Sequence, residues 1–285
     1  MGYQTSIQWL DGGRILAECG PMRLVISASV GRVPQKDACI RGAKEAFHIL
    51  EQIAHQRQVL SQVFTRLPDT LDDFWARKMV RSVLAVDQEL TPMASVAGTI
   101  SDGVCAFLAR RGMTRAIVNN GGDVALRTGA HAAVKVGMRP DMAYSPIAGV
   151  LELGDERPFW GVATSGLEGR SLSCGVASAV TIIAGSASVA DAAATSVANA
   201  SFVEDESVVQ RPAEELDEQT DIPGTMVTVQ AGPLAREARD RALTQAMHKA
   251  ELLQKKGVIF GASIIVDGKA MMTDFVRRRL QAPAQ

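Results

Sequence analysis

A chain of 285 residues, 47% hydrophobic and 21% charged, has the composition of an ordinary soluble, enzyme-sized globular protein with a sizeable core. Thirty basic against thirty-one acidic side chains leave a formal charge of −1, so no net field draws in nucleic acid or an anionic membrane, and a small molecule or a protein is the expected partner. Cys19, Cys39, Cys105 and Cys174 stand far apart with no C-x-x-C pair, which argues against a zinc ribbon or a thioredoxin-type redox centre.

Taken in chain order, Tyr3 to Leu10 and Arg14 to Ser29 favour strands, with Asp11-Gly12-Gly13 as the hairpin turn between them. Apolar spacing predicts a long amphipathic helix from Asp37 to Phe64 and a second from Leu71 to Val86. His48 and His55 share a face of the first, about 10 Å apart at 1.5 Å per residue, too far for easy ligation of one metal. Thr91-Pro92 offers an N-cap and a first-turn proline for a buried helix from Met93 to Arg111. Ala116–Val118 and Val124–Arg127 read as strands joined by the turn Asn119-Asn120-Gly121-Gly122-Asp123.

Further strands are expected at Ala132–Met138, Ile147–Leu153, Phe159–Ala163 and Ala177–Ala184, followed by a helix from Ser188 to Phe202. Glu204–Gln219 is acidic and proline-interrupted, a surface loop or short helix. Val227–Val229, a helix from Pro233 to Lys256 and a strand from Val258 to Val266 complete a single α+β domain over residues 1–275, with a mixed or mostly antiparallel sheet and long packed helices. Residues 276–285 read as a loosely held tail. No apolar run reaches the roughly eighteen residues of a membrane span, and the opening MGYQTSIQWLDGG lacks an export pattern. A cytoplasmic protein is the expectation.

Residues 161–200 are rich in small side chains and hold no Lys, so backbone there can approach another helix, a ligand or a second subunit, and a homodimer is expected on that ground. Asp191 and Thr195 stand one helical turn apart on one face. They suit a hard cation such as Mg²⁺, anchored by a carboxylate, a hydroxyl and a main-chain carbonyl beside a substrate phosphate. Ser188-x-x-Asp191 is equally a capping-box pattern, which explains Asp191 without a ligand. Gly121 and Gly122 serve a tight turn, or leave bare backbone N–H groups for a ligand.

The segment Thr164-Ser165-Gly166, and then Arg170 to Gly175, reads as a loop carrying hydroxyls, a guanidinium and a thiol. Arg170 suits a phosphate or carboxylate. A nucleophile among Ser165, Ser173 and Cys174 needs a base, and His131 is the one histidine not placed on a long helix. Cys174 also reads as a small packing residue.

Pro92-Met93-Ala94-Ser95-Val96-Ala97-Gly98 with Asp102, Asn120-Gly121-Gly122-Asp123, Ala163-Thr164-Ser165-Gly166 and Ala190-Asp191-Ala192-Ala193-Ala194-Thr195 follow one another in order. This set resembles the ApbE-like superfamily, relatives of FAD:protein FMN transferases, and most closely a branch of it without the transferases' His-x-x-Pro segment. The resemblance implies an α+β domain that binds FAD, FMN or a related nucleotide or heteroaromatic ligand. It places Asn119, Asn120, Gly121, Gly122, Asp123, Thr164, Ser165, Gly166 and Arg170 around that ligand. Mg²⁺ would be held by Asp191, Thr195 and the main-chain carbonyl of Val96, with Asp191, Arg170 and Ser165 serving the chemistry.

The sequence departs from the transferases at Ala97, where they carry a lysine, and at Arg170 to Val176, which holds no His or Pro. Three readings stay open. The first is an enzyme of metal-assisted transfer or hydrolysis; the second is a non-catalytic flavin or small-molecule binding protein. The third is a metal-free hydrolase or isomerase of a small cyclic substrate, using Ser165 or Cys174 with Arg170.

Overall fold

The computed structural model describes residues 4–129, 133–138, 147, 149–167, 169 and 171–282. The chain opens with β1 (Thr5–Leu10), β2 (Arg14–Cys19), β3 (Met22–Val30) and the short β4 (Val33–Pro34). Gly12 and Gly13 take φ of 72° and 75° between β1 and β2, a conformation that costs glycine nothing, and the turn falls where that pair predicts it. Helices α1 (Lys36–His55), α2 (Arg57–Leu60) and α3 (Phe74–Val86) follow, and after a 3₁₀ turn at Pro92–Ser95 comes α4 (Val96–Arg110).

Next come β5 (Arg115–Asn120), β6 (Asp123–Arg127), β7 (Val134–Met138), β8 (Gly149–Leu153), β9 (Phe159–Ser165), β10 (Ala179–Ala184) and α5 (Ala187–Asn199). The chain closes with β11 (Val208–Pro212), β12 (Met226–Ala231), α6 (Arg236–Lys255), β13 (Ile259–Val266), β14 (Lys269–Met272), α7 (Asp274–Arg277) and β15 (Leu280–Gln281).

The main sheet has ten strands in the order β1-β2-β3-β5-β6-β9-β10-β13-β14, with β4 beside β3. All strand pairs among the described residues are antiparallel. Strand alternation sends Ile15, Leu24, Ile26 and Val118 to one face, where α1 and α4 bury them, and Val180, Ile182, Ala262 and Ile264 further along that face against α5 and α6. On the other face Leu126, Trp160 and Ile183 meet Leu151 and Leu153 of a small β7-β8-β15 sheet. The fold is α+β, as its sequence pattern predicts. Pro92–Arg110 is long and apolar enough to cross a membrane by length and composition, yet it lies in the core with Thr99, Val104 and Leu108 fully buried.

Several expectations are corrected. The predicted helix from Asp37 to Phe64 stops at His55, and the chain bends at Gln56 (φ −97°, ψ 3°) so that Leu60 enters the core. Glu204–Gln219 is not only loop, since β11 lies within it and pairs with β12. The tail is held as far as residue 282: Val276 is buried, Phe275 packs on Trp160, and Leu280 and Gln281 pair with Leu151 and Val150. Apolar side chains at Phe275, Val276 and Leu280 provide the reason. Tyr3, Ala132, His131 and Arg170 lie outside the described residues.

Glycines of the small-residue stretch, together with Gly98, allow close backbone approaches inside the chain. A Cβ on Gly161 would lie 2.0 Å from the Ser186 carbonyl carbon, one on Gly98 2.2 Å from the Ala187 oxygen, and one on Gly175 1.8 Å from the Ala198 oxygen. The backbones of β9, α4 and α5 therefore converge on residues 186–187. No side chain fits between them.

Candidate functional site

That convergence places Asp191, one turn into α5, against the first turn of α4. Its carboxylate accepts from the amide of Gly98 at 2.9 Å and from the amide of Ala97. First-turn amides lack partners within their own helix, and Ser95, at the N-cap of α4, makes no side-chain cap. The neighbouring helix supplies the acceptor. α4 returns the contact: Asp102 accepts from the amides of Ala187 (2.8 Å) and Ser188 (3.1 Å) and from the Ser188 hydroxyl (2.8 Å), with Lys78 Nζ 2.9 Å away. Each helix thus lends the other a carboxylate at its positive end.

The capping-box reading of Ser188 and Asp191 is overturned by this arrangement. Ser186 is the N-cap residue of α5 and accepts from the Val189 amide, Ser188 is turned to Asp102, and Asp191 is turned away to α4. Asp191 consequently serves the junction between the two helices and not the start of its own.

Asn120 and Asp123 are register partners across β5 and β6, so both side chains lie on the helix-facing side of the sheet. Asn120 Nδ2 donates to the Ala97 carbonyl at 3.4 Å, and the Ser101 hydroxyl donates to the Asp123 carbonyl at 2.8 Å. The Asp123 carboxyl is pushed well above the usual carboxylate range, first by burial and then by the charge of Asp191. Burial also lifts Asp191, to about 7, with Asp102 adding to the rise and the amides of Gly98 and Ala97 opposing it. Asp123 and Asp191 are half-buried residues, as are Val96, Ala97 and Thr195.

Other predicted residues divide by the side they face. Asn119 points to the far face and its Oδ1 accepts from the Gly122 amide at 2.9 Å, while Gly121 and Gly122 hold φ of 67° and 123°. The turn itself therefore uses Asn119 and both glycines, and the Gly122 amide is already engaged. Thr164 and Ser165 belong to β9, not to a loop, so alternation separates them. The Thr164 hydroxyl meets Thr181 at 2.9 Å on the far face. Ser165, paired with Val180, faces the helices, and its buried hydroxyl has no partner among the described residues. Gly166 takes φ of 141° with the Ser178 carbonyl oxygen 2.5 Å from where a Cβ would stand.

Cys174 is half-buried, and burial pushes its thiol above the ordinary range. Its amide donates to Asn199, and its carbonyl accepts from Gln210 and Thr228, a packing role that leaves the metal-free nucleophile reading without an activated thiol. His48, His55 and His248 are exposed on α1 and α6.

A hard divalent cation fits the donors that remain. Among the described residues no three His, Cys, Asp or Glu side chains gather into a metal cluster. Asp123 and Asp191 nevertheless form an oxygen-only pair whose mutual repulsion a cation would relieve. Thr195, one turn beyond Asp191, has no hydrogen-bond partner for its hydroxyl among the described residues, and Val96 opens the helix whose amides Asp191 touches. The Lys78–Asp102 bracket is not legible in the sequence. A contact across twenty-four positions leaves no local signal.

A profile of the family described as AbpE bacteria matches residues 7–272. The chain belongs to that ApbE-like family. Two relatives, each called UPF0280 protein, come from Methanothermobacter thermautotrophicus (39% identical over 53% of this chain and 60% of the relative) and Methanococcus vannielii (40% identical, 49% and 57%). The chain thus spans less than two thirds of the length of these curated relatives. Among solved structures, the apo flavinyl transferase ApbE of Pseudomonas stutzeri matches with a TM-score of 0.53 at 13% identity, covering 99% of both chains. The ApbE protein of Thermotoga maritima matches with a TM-score of 0.51 at 11% identity, over 97% of this chain and 99% of its own. At these identities the two establish the ApbE-like fold of this protein.

Proposed function

We propose that this ApbE-like protein binds a flavin or related nucleotide diphosphate together with a divalent cation at the Asp123–Asp191 pair, and carries out metal-assisted transfer or hydrolysis there. The observation that carries the reading is the pair itself. Two carboxyls on different elements are raised by burial, Asp123 further by the charge of Asp191 and Asp191 by that of Asp102, and Thr195 stands one helical turn beyond Asp191. Family membership and the flavinyl transferase fold support the flavin side of it.

In this reading Asp191 and Asp123 hold the cation, with Thr195 and main-chain oxygen near Val96 completing its protein ligands, and Asn120 braces the α4 start through Ala97. A bound Mg²⁺ would supply Lewis-acid charge to a diphosphate. The amides of Ala97 and Gly98 keep the Asp191 carboxylate in place at the positive end of α4. The bracket of Asp102 and Lys78 fixes α5, and with it the position of Asp191.

A second reading, binding without catalysis, is favoured by one specific observation. Ala97 puts a methyl group where a phosphate-binding lysine would stand, and Lys78 is committed to Asp102. Titration calorimetry of FAD and Mg²⁺, together and singly, into wild type and Asp191→Ala tests both. Cation-dependent FAD binding lost in Asp191→Ala supports the site, and release of a mononucleotide product during incubation separates catalysis from binding. No heat with either ligand in the wild type would remove the flavin reading.

A further inference from the structure

The two edges of the main sheet are finished differently. At one end β14 is four residues long and carries Lys269, whose Nζ lies 2.7 Å from Asp240; short, charged edges resist pairing with other strands. At the other end β1, Thr5–Leu10, is six residues long, pairs only with β2 among the described residues, and reads TSIQWL without a single charge or proline. Among the described residues no strand pairs with its outer N–H and C=O groups.

The apolar face of the sheet also outruns its helical cover at this edge. Ile7 lies opposite Ala17 and Trp9 opposite Ile15, on the face that α1 buries, and both β2 residues are fully buried. Ile7 is 37% exposed and Trp9 55% exposed, with Lys36 Nζ 5.7 Å from the indole ring. The core surface therefore continues past α1 onto β1 and ends in open solvent.

We propose that β1 is a dimerisation edge, paired antiparallel with β1 of a second copy of this chain so that the two main sheets become one. A second copy is the occupant the sequence of the strand fits. A two-fold axis perpendicular to the sheet keeps the apolar faces continuous and restricts the register to pairs of equal parity. Centred on Gln8, that register sets Ile7 opposite Trp9 of the other copy, Trp9 opposite Ile7, and Gln8 opposite Gln8. Both apolar contacts are aromatic with β-branched, a favourable cross-strand pair, and the absence of charge means that self-pairing opposes no like charges. The interface is isologous and leaves no β1 edge open.

Sedimentation velocity of the full chain, with Gln8→Cys cross-linking in a Cys174→Ser background, tests this. The expected result is a wild-type dimer whose dissociation constant rises at least ~30-fold in Ile7→Lys and in Trp9→Lys, both exposed positions whose folding is checked by circular dichroism. Gln8→Cys should give a reducible covalent dimer on oxidation, and Ala270→Cys on the opposite edge should not. A wild-type monomer at about 100 µM, a dimer indifferent to both lysine variants, or cross-linking at Ala270→Cys but not Gln8→Cys overturns the proposal. Should a lysine variant misfold, the cross-link decides by itself.

Discussion

Asp123 and Asp191 are two neighbouring carboxyls, both raised by burial, and their titration gives a signed prediction. Asp191 moves from the ordinary 3.8 to about 7, with burial as the main cause, and Asp123 is raised as well. A carboxyl with a raised folded value holds its proton while the unfolded chain releases it, so its stabilisation is present below about pH 4 and lost as pH rises through about 7. The cation-free protein should therefore lose about 2–6 °C in Tm between pH 5 and pH 8 from this pair. Asp123→Asn should flatten that loss, raise Tm at pH 8 and abolish stabilisation by Mg²⁺, which in the wild type should be larger at pH 8 than at pH 5. Differential scanning calorimetry at the two pH values reads all of these outcomes, and an equal Mg²⁺ effect at both would count against a shared cation site. The DxxxT spacing made Asp191 and Thr195 visible in the sequence. Its partner Asp123 was visible only as part of a turn, because the facing of β6 toward α5 is a property of the sheet.

Between elements, the decisive contact is the crossing of α4 over the start of α5, where Gly98 meets the Ala187 carbonyl oxygen. Gly98→Ala should destabilise the protein by about 3 kcal/mol, because the obstructing atom is backbone and cannot swing aside; urea denaturation measures this. Asp102→Ala should cost about 2–3 kcal/mol by removing the acceptor of two first-turn amides and leaving Lys78 without its partner. That loss should be partly recovered by Asp102→Asn, which keeps an acceptor, and a variant indistinguishable from wild type in urea would refute the bracket. The sequence showed a helix at each place and small residues along both. It did not show Ser186 as the cap of α5, since the serine two positions on makes an equally good local pattern and only the presence of Asp102 chooses between them.

Across the whole molecule, Asp87 at the end of α3 ties distant parts together by accepting from the Ser196 hydroxyl of α5 at 2.6 Å and from Lys249 of α6 at 2.8 Å. Burial opposes its ionisation, yet the hydrogen bonds from Lys249 and Ser196 hold its carboxyl below the ordinary value. The sign here is the reverse of that at Asp191: stability from this clamp is present above about pH 4 and lost as pH falls through the lowered value. Lys249→Met should cost about 1–2 kcal/mol near pH 7, with the difference from wild type shrinking below about pH 3; acid titrations followed by circular dichroism check the convergence. Chain composition, the glycine pair at Gly12-Gly13, strand alternation and the ordered motifs were enough to establish an α+β, ApbE-like chain, since periodicity and turn chemistry are local properties that any short window displays. Which face each motif residue presents, the separation of Thr164 from Ser165, the mutual capping of α4 and α5 and the anchoring of the C-terminal segment by β8 were decided only by the tertiary structure. Those features depend on burial and pairing between residues tens to more than a hundred positions apart, and their energies do not exist until the sheet has formed.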